Sequence, residues 1–219
     1  MKKYFDVLRK CPLFNDIEDD NLLALLGCLG ARVESYDKKY TILAEGNPAK
    51  YIGIVLSGSI QMIKVDYYGN RSIVAQSESS EMFGESFACA GVEKIPLSVI
   101  VNEPGEIMLL DCGRILNSCK NACGFHRQII YNLMKELARK NLMFHRKIEV
   151  TSKRSTREKL MTYLMYTAEK AGSSEFEIPF DRQELADYLE VERSGLSAEI
   201  SKLRREGIID CEKSKFILL

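Results

Sequence analysis

The side chains with the most chemistry to offer lie near the C-terminal end. In Arg193–Arg205, Leu196, Ile200 and Leu203 recur at i, i+4 and i+7, which predicts one buried face of a helix. Burying that face turns Arg193, Ser194, Ser197, Ala198, Ser201, Lys202 and Arg205 outward. The first turn and a half is small and polar apart from Arg193. Small hydroxyl side chains let a helix approach base edges in a major groove, and a guanidinium can bond guanine O6 and N7 together. Lys202, Arg204 and Arg205 follow where such a helix leaves the groove beside phosphates. Arg182 stands at the start of the preceding helix, an N-terminus that suits a phosphate. A solvated amphipathic helix in a protein-interaction domain is the alternative. Residues 151–219 hold 12 basic and 13 acidic side chains. That balance implies modest non-specific affinity and a need for two modules acting together.

A second group is Cys112, Cys119, Cys123 and His126. Cys119, Cys123 and His126 would share a face of one helix, a spacing able to hold a metal or an iron–sulfur cluster. Cysteine is also a common buried small apolar residue, and that reading stands beside the first. His126 and His145 are the only histidines, and a haem-ligand role for either is the remotest option. No nucleophile–base pair, phosphate-cradling loop or hydrolase metal spacing stands out, so no catalytic residue is assigned and no enzyme is expected.

These groups need a scaffold. The 219 residues carry 31 basic and 31 acidic side chains, which excludes a generally polycationic nucleic-acid coat. The longest nearly unbroken apolar stretch, residues 22–31, is about half what a bilayer-spanning helix needs. The N-terminal stretch carries Asp6, Arg9 and Lys10 where a signal peptide needs an apolar core. Seven cysteines without paired spacing fit a reducing cytoplasm. A cytoplasmic protein without membrane contact is therefore expected.

The expected fold is α+β in three zones. In residues 1–116 a helix opening near Asp19 precedes short apolar runs at 51–56, 60–65, 72–76, 97–101 and 107–110. Turn signals separate the runs, which indicates an antiparallel β-barrel or jelly roll. In residues 117–150, Ile130, Met134, Leu137, Asn141, Phe144 and Ile148 are spaced 4, 3, 4, 3, 4. That is a heptad seam with one Asn, which could pair with its copy across a two-fold axis in a long dimerisation helix. A core helix packed on its own domain is the other reading. Leu133, Leu142 and Met143 lie off the seam and are expected to pack on the β-domain. In residues 151–219, Asp181 to Glu184 form a capping box, two short helices follow, and two final strands make a wing. This is a winged helix-turn-helix, and a pair of them would read a two-fold operator in double-stranded DNA with half-sites roughly 34 Å apart.

Together, EGNPAKYIGIVLSGSI, MFGES and DRQELADYLEVERSGLSAEISKLRREGII resemble the Crp/Fnr superfamily of bacterial transcription regulators. The resemblance runs from about Cys11 to the C-terminus. It implies a cyclic-nucleotide-binding-like domain, a homodimer, an effector site between barrel and long helix, and contact with RNA polymerase if the protein activates. Cyclic-nucleotide-binding members follow their Gly-Glu pair with an Arg-Ser or Arg-Thr pair that clamps the phosphate. Gly84 and Glu85 match the first half, but Leu97 stands at the arginine position before Ser98, and the nearest cation is Lys94. Without a guanidinium the strongest phosphate contact is lost. An unknown small, apolar effector is expected instead, flanked by Gly84, Glu85, Ser86, Leu97, Ser98, Ile130, Leu133 and Leu137. Two alternatives remain. One is a redox or metal sensor on the same scaffold using Cys112, Cys119 and Cys123; the other is a cyclic-nucleotide-binding scaffold that does not touch DNA. Glu190 occupies the helix-turn-helix turn where relatives usually carry Gly, and a left-handed residue there costs roughly 1 kcal/mol or more.

Overall fold

The computed structural model describes residues 1–117 and 124–219. Two short helices, α1 (Phe5–Leu8) and α2 (Asp19–Cys28), lead into β1 (Arg32–Tyr36), β2 (Thr41–Leu43), β3 (Tyr51–Val55), β4 (Ser59–Val65), β5 (Arg71–Ser77) and β6 (Met82–Phe83). Helix α3 (Glu85–Cys89), β7 (Ser98–Glu103), β8 (Gly105–Asp111) and α4 (Cys112–Leu116) follow. Then come α5 (Gly124–Thr151), α6 (Thr156–Ala171), β9 (Glu175–Glu177), α7 (Arg182–Leu189), α8 (Arg193–Arg205), β10 (Ile209–Glu212) and β11 (Lys215–Leu218). The chain divides into two compact units, one of residues 1–69 and 74–141, the other of residues 70–73 and 142–219.

In the first unit two four-stranded sheets form, in the orders β1-β8-β3-β6 and β2-β7-β4-β5. They remain separate layers and do not close into one barrel. The residue alternation of a strand explains the layering. Val55, Phe83, Ile107 and Leu109 face Ile60, Met62, Leu97 and Val99 across the sheet interface. The other face of the same sheet sends Ile52, Ile54, Met82, Met108 and Leu110 against α1, α2, α4 and α5. One sheet is thus buried on both sides, so its strands read as continuous apolar runs and not as alternation. Gly53 is demanded by packing: a Cβ there would sit 2.1 Å from the Phe83 ring.

The expected strands all form, within a residue or two, and Tyr67–Asn70 is the tip between β4 and β5. Three strands went unforeseen: β1, β2 and β6. Two of them have only two or three residues, and β1 is half-exposed with mixed polarity, so none carries a clear period.

In the second unit, Leu185, Ala186, Leu189, Leu196, Ile200 and Leu203 are buried, with Leu160 and Leu164 of α6. Helix α6 starts at the Ser155 capping box with Glu158 and ends on left-handed Gly172. Strands β10 and β11 pair as the wing, and β9 adds a third strand on β11. Among the described residues no helix is long and apolar enough to cross a membrane.

Candidate nucleic-acid interface and effector turn

The reading helix is set by its caps. The Asp181 carboxylate accepts from the Glu184 amide at 2.8 Å and the Glu184 carboxylate accepts from the Asp181 amide at 2.9 Å. Glu190 ends α7 in the left-handed conformation, with φ 55°. Two lysines support this turn. Lys159 donates to the carbonyls of Leu189 and Glu190, each at 3.2 Å. Lys147 donates to the carbonyl of Tyr188 and lies 3.6 Å above its ring. Cations at a helix C-terminus satisfy its free carbonyls and suit its dipole. Burial pushes the Lys147 ammonium down to about 8.

On α8, Arg193, Ser194, Ser197, Ala198, Ser201, Lys202 and Arg205 are all exposed. The Ser201 hydroxyl donates back to the Ser197 carbonyl at 2.9 Å. Three nearby acids are occupied elsewhere: Arg157 holds Glu199 at 3.4 Å and Glu206 at 2.6 Å, and Arg204 holds Asp210 at 2.9 Å. Arg193, Lys202 and Arg205 make no ion pair among the described residues, so the outward face is cationic although the zone is not. Arg182, at the start of α7, is half-buried. Its guanidinium lies 5.2 Å from the Phe216 ring and 3.4 Å from the Cys211 sulfur, so it braces the wing strands.

The eight expected effector residues fall in or beside two hydrophobic clusters and at the turn into α3. Leu97 is 5% exposed, inside the sheet interface. Leu133 is buried in the other cluster, against the N-terminal helices, with Ile130 and Leu137 packed on it. The Ser98 hydroxyl is engaged by the Glu45 amide at 3.0 Å. Gly84 caps α3 in the left-handed region and Ser86 is exposed. Glu85, by contrast, is 2% exposed, and Lys140 of α5 meets its Oε1 at 2.9 Å while also donating to the Met82 carbonyl. Its Oε2 has no hydrogen-bond partner among the described residues.

The dimer seam is also split. Met134 and Ile148 are 58% and 62% exposed and Asn141 is exposed, whereas Ile130, Leu137 and Phe144 are half-buried. Leu142 and Met143, expected on the β-domain, are instead exposed at 65% and 45%. The outward row is Tyr131, Met134, Ala138, Asn141, His145 and Ile148, spaced 3, 4, 3, 4, 3. It is a heptad turned slightly around the helix from the expected one.

Comparison with known proteins decides the family. The family described as cyclic nucleotide-binding domain matches residues 33–121, and that described as Crp-like helix-turn-helix domain matches residues 158–219. The chain belongs to the Crp/Fnr superfamily of transcription regulators. This Crp/Fnr regulator is 23% identical over 184 residues to a probable transcriptional activator of Rhizobium leguminosarum bv. viciae, covering 81% of this chain and 73% of that one. Its fold is similar to the structure of CLP, described as a c-di-GMP-responsive global regulator of Xanthomonas campestris. There the TM-score is 0.74 at 16% identity, over 92% of this chain and 99% of that one. FixK2 of Bradyrhizobium japonicum gives a TM-score of 0.67 at 21% identity, over 86% and 92%. The chain is therefore a DNA-binding transcription regulator with an effector-type domain, in a family whose members are generally not enzymes.

Sequence reasoning missed part of this Crp/Fnr regulator's machinery. Asn132, Glu136 and Lys140, spaced four apart, form a polar ladder on the inner face of α5. The Asn132 amide donates to the carbonyls of Leu13 and Asn15, at 2.9 and 2.7 Å, and tethers the N-terminal segment. Glu136 is held by both ends of the Arg139 guanidinium, at 2.7 and 2.6 Å. A polar i, i+4, i+8 row on an otherwise apolar arc was the available signal. Of the expected cysteine cluster, only Cys112 and His126 lie among the described residues. His126 is buried with its Nε2 3.1 Å from the Arg114 carbonyl, and the Cys112 sulfur lies 3.5 Å from that of Cys89. Cys119 and Cys123 lie outside the described residues.

Proposed function

We propose that two copies pair along the outward face of α5 and present their α8 helices to the two halves of a symmetric operator, in the cytoplasm. The exposed, uncommitted face of α8 carries this reading. Arg193, Ser194 and Ser197 are the base-reading residues, and Lys202 and Arg205 lie on the phosphates. Arg182, which also braces the wing, is a phosphate contact at the start of α7. The row Tyr131, Met134, Ala138, Asn141, His145 and Ile148 suits a second copy: it is exposed, mostly apolar and heptad-spaced, and its one Asn can bond its own mate. If the protein activates, RNA polymerase is its further partner.

The effector in this proposal is a small molecule other than a cyclic nucleotide, held near the Gly84–Ser86 turn and α5. A phosphate at this turn would meet the buried Glu85 carboxylate, and the position expected to carry its guanidinium holds the buried, apolar Leu97 instead. Lys140 already neutralises Glu85 from the helix side. Selection of bound duplexes from a random pool by the full chain tests the operator. Enriched sequences should be inverted repeats with half-site centres roughly 34 Å apart. Enrichment of single, unrepeated sites would contradict the reading.

A further inference from the structure

Helix α3 is a five-residue segment placed between two left-handed glycines, Gly84 at φ 77° and Gly91 at φ 63°. Such residues are natural pivots, and around Gly91 there is open space where a Cβ would stand. The last residue of α3 is Cys89, half-exposed. Its sulfur lies 3.5 Å from that of Cys112, the first residue of α4. Cys112 is held firmly. It is 2% exposed in the main core, its amide donates to the Lys50 carbonyl at 3.2 Å, and the preceding Asp111 caps α4 by accepting from the Arg114 amide. A fixed thiol thus faces an accessible one at the end of a movable segment.

We propose that Cys89 and Cys112 form a peroxide-oxidisable dithiol whose disulfide draws α3 against α4. The chemistry balances with one hydroperoxide. A Cys89 thiolate attacks the peroxide oxygen, the O–O bond breaks, and sulfenic acid forms with release of water or an alcohol. The Cys112 thiolate then attacks the Cys89 sulfur, the S–O bond breaks, and water leaves. Both thiols are oxidised by two electrons in total, and the peroxide takes up those electrons with the two thiol protons. The hydrogen bond between the two sulfurs pushes the Cys89 thiol up and the Cys112 thiol down, so the pair releases one proton before the other and shares the remaining one; the accessible Cys89 reacts when that proton sits on Cys112. Closing the bond requires the sulfurs to approach by roughly 1.5 Å, since a disulfide is about 2.05 Å long. The movement falls on α3. That helix begins with Glu85, so the pull reaches the carboxylate held by Lys140.

The test uses the full chain, reduced and then treated with hydrogen peroxide. Thiol titration in denaturant should show two of the seven thiols lost, and restored by a dithiol reductant. Peptide mapping without reductant should recover a Cys89–Cys112 link, and hydrogen exchange at residues 84–91 should slow on oxidation. Cys89→Ser, at the half-exposed and so more tolerant position, should keep its Cys112 thiol under the same treatment and show no change in exchange. Cys112 linked to Cys119 or Cys123, over-oxidation without a link, or a link that leaves exchange at 84–91 unchanged would each overturn the proposal.

Discussion

Arg193 is the side chain on which readout leans most. It is the one cation in the first turn of α8, and its neighbours there are Ser194, Gly195 and Ser197. Arg193→Ala should lower specific affinity by about 1–3 kcal/mol and relax one base position. Fluorescence anisotropy on a panel of single-base operator variants measures both. An equal loss on every variant would make Arg193 a phosphate contact. Glu190 is a residue-scale compromise of another kind. Its left-handed backbone favours Gly, so Glu190→Gly should raise the melting temperature by a few degrees, on the order of 1 kcal/mol less the entropy that Gly costs. A drop on thermal denaturation would mean that the Glu190 side chain, not the two lysines beneath it, holds the turn.

At the scale of elements, two partly buried lysines do the joining. Lys147 caps α7, and burial pushes it down to about 8 from its ordinary 10.5. Between those values the folded protein has released a proton that the unfolded chain still binds, so stability rises with pH across about 8 to 10.5. Lys147→Met removes that rise. Cys11, whose buried thiol is pushed up to about 12, opposes it above pH 9 in both proteins, so the difference between them isolates Lys147. Urea unfolding of the pair at pH 7.5 and 9.5 should show the wild type gaining on the variant; a constant gap would contradict the burial. Lys140 ties α5 to α3 through Glu85. Lys140→Met leaves that carboxylate buried and unpaired and should cost about 3–5 kcal/mol, while adding Glu85→Met should recover most of it. Equal instability of single and double variants would mean that packing, not charge, sets the cost.

These joints also mark what the sequence could and could not tell. The Asp181 capping box, the helix-turn-helix and its Glu190 turn were legible because each depends on close neighbours in the sequence, whereas the Ser155 capping box on α6 went unread. The heptad on α5 was legible as a period but not as a direction. The Ile130 and Tyr131 rows have the same spacing, and only the N-terminal helices packed on Leu133 choose which row stays outside. The separation of Leu97 from Ile130 and Leu137, and the meeting of Cys89 with Cys112, depend on contacts between distant strands and helices that no local pattern encodes.

For the whole molecule, charge is neutral overall but locally sorted. The 31 basic and 31 acidic residues cancel, yet Arg157 and Arg204 pair with Glu199, Glu206 and Asp210, and among the described residues the outward cations of α8 make no ion pair. One such face offers few phosphate contacts, so tight and specific binding needs a second face rigidly joined to the first. The most direct measurement is analytical ultracentrifugation of the purified protein, alone and with duplexes carrying a whole or a half operator. The account predicts a dimer that binds one whole site as a two-to-one complex, and much weaker binding to a half-site. A monomer in solution, or equal affinity for both duplexes, would contradict it.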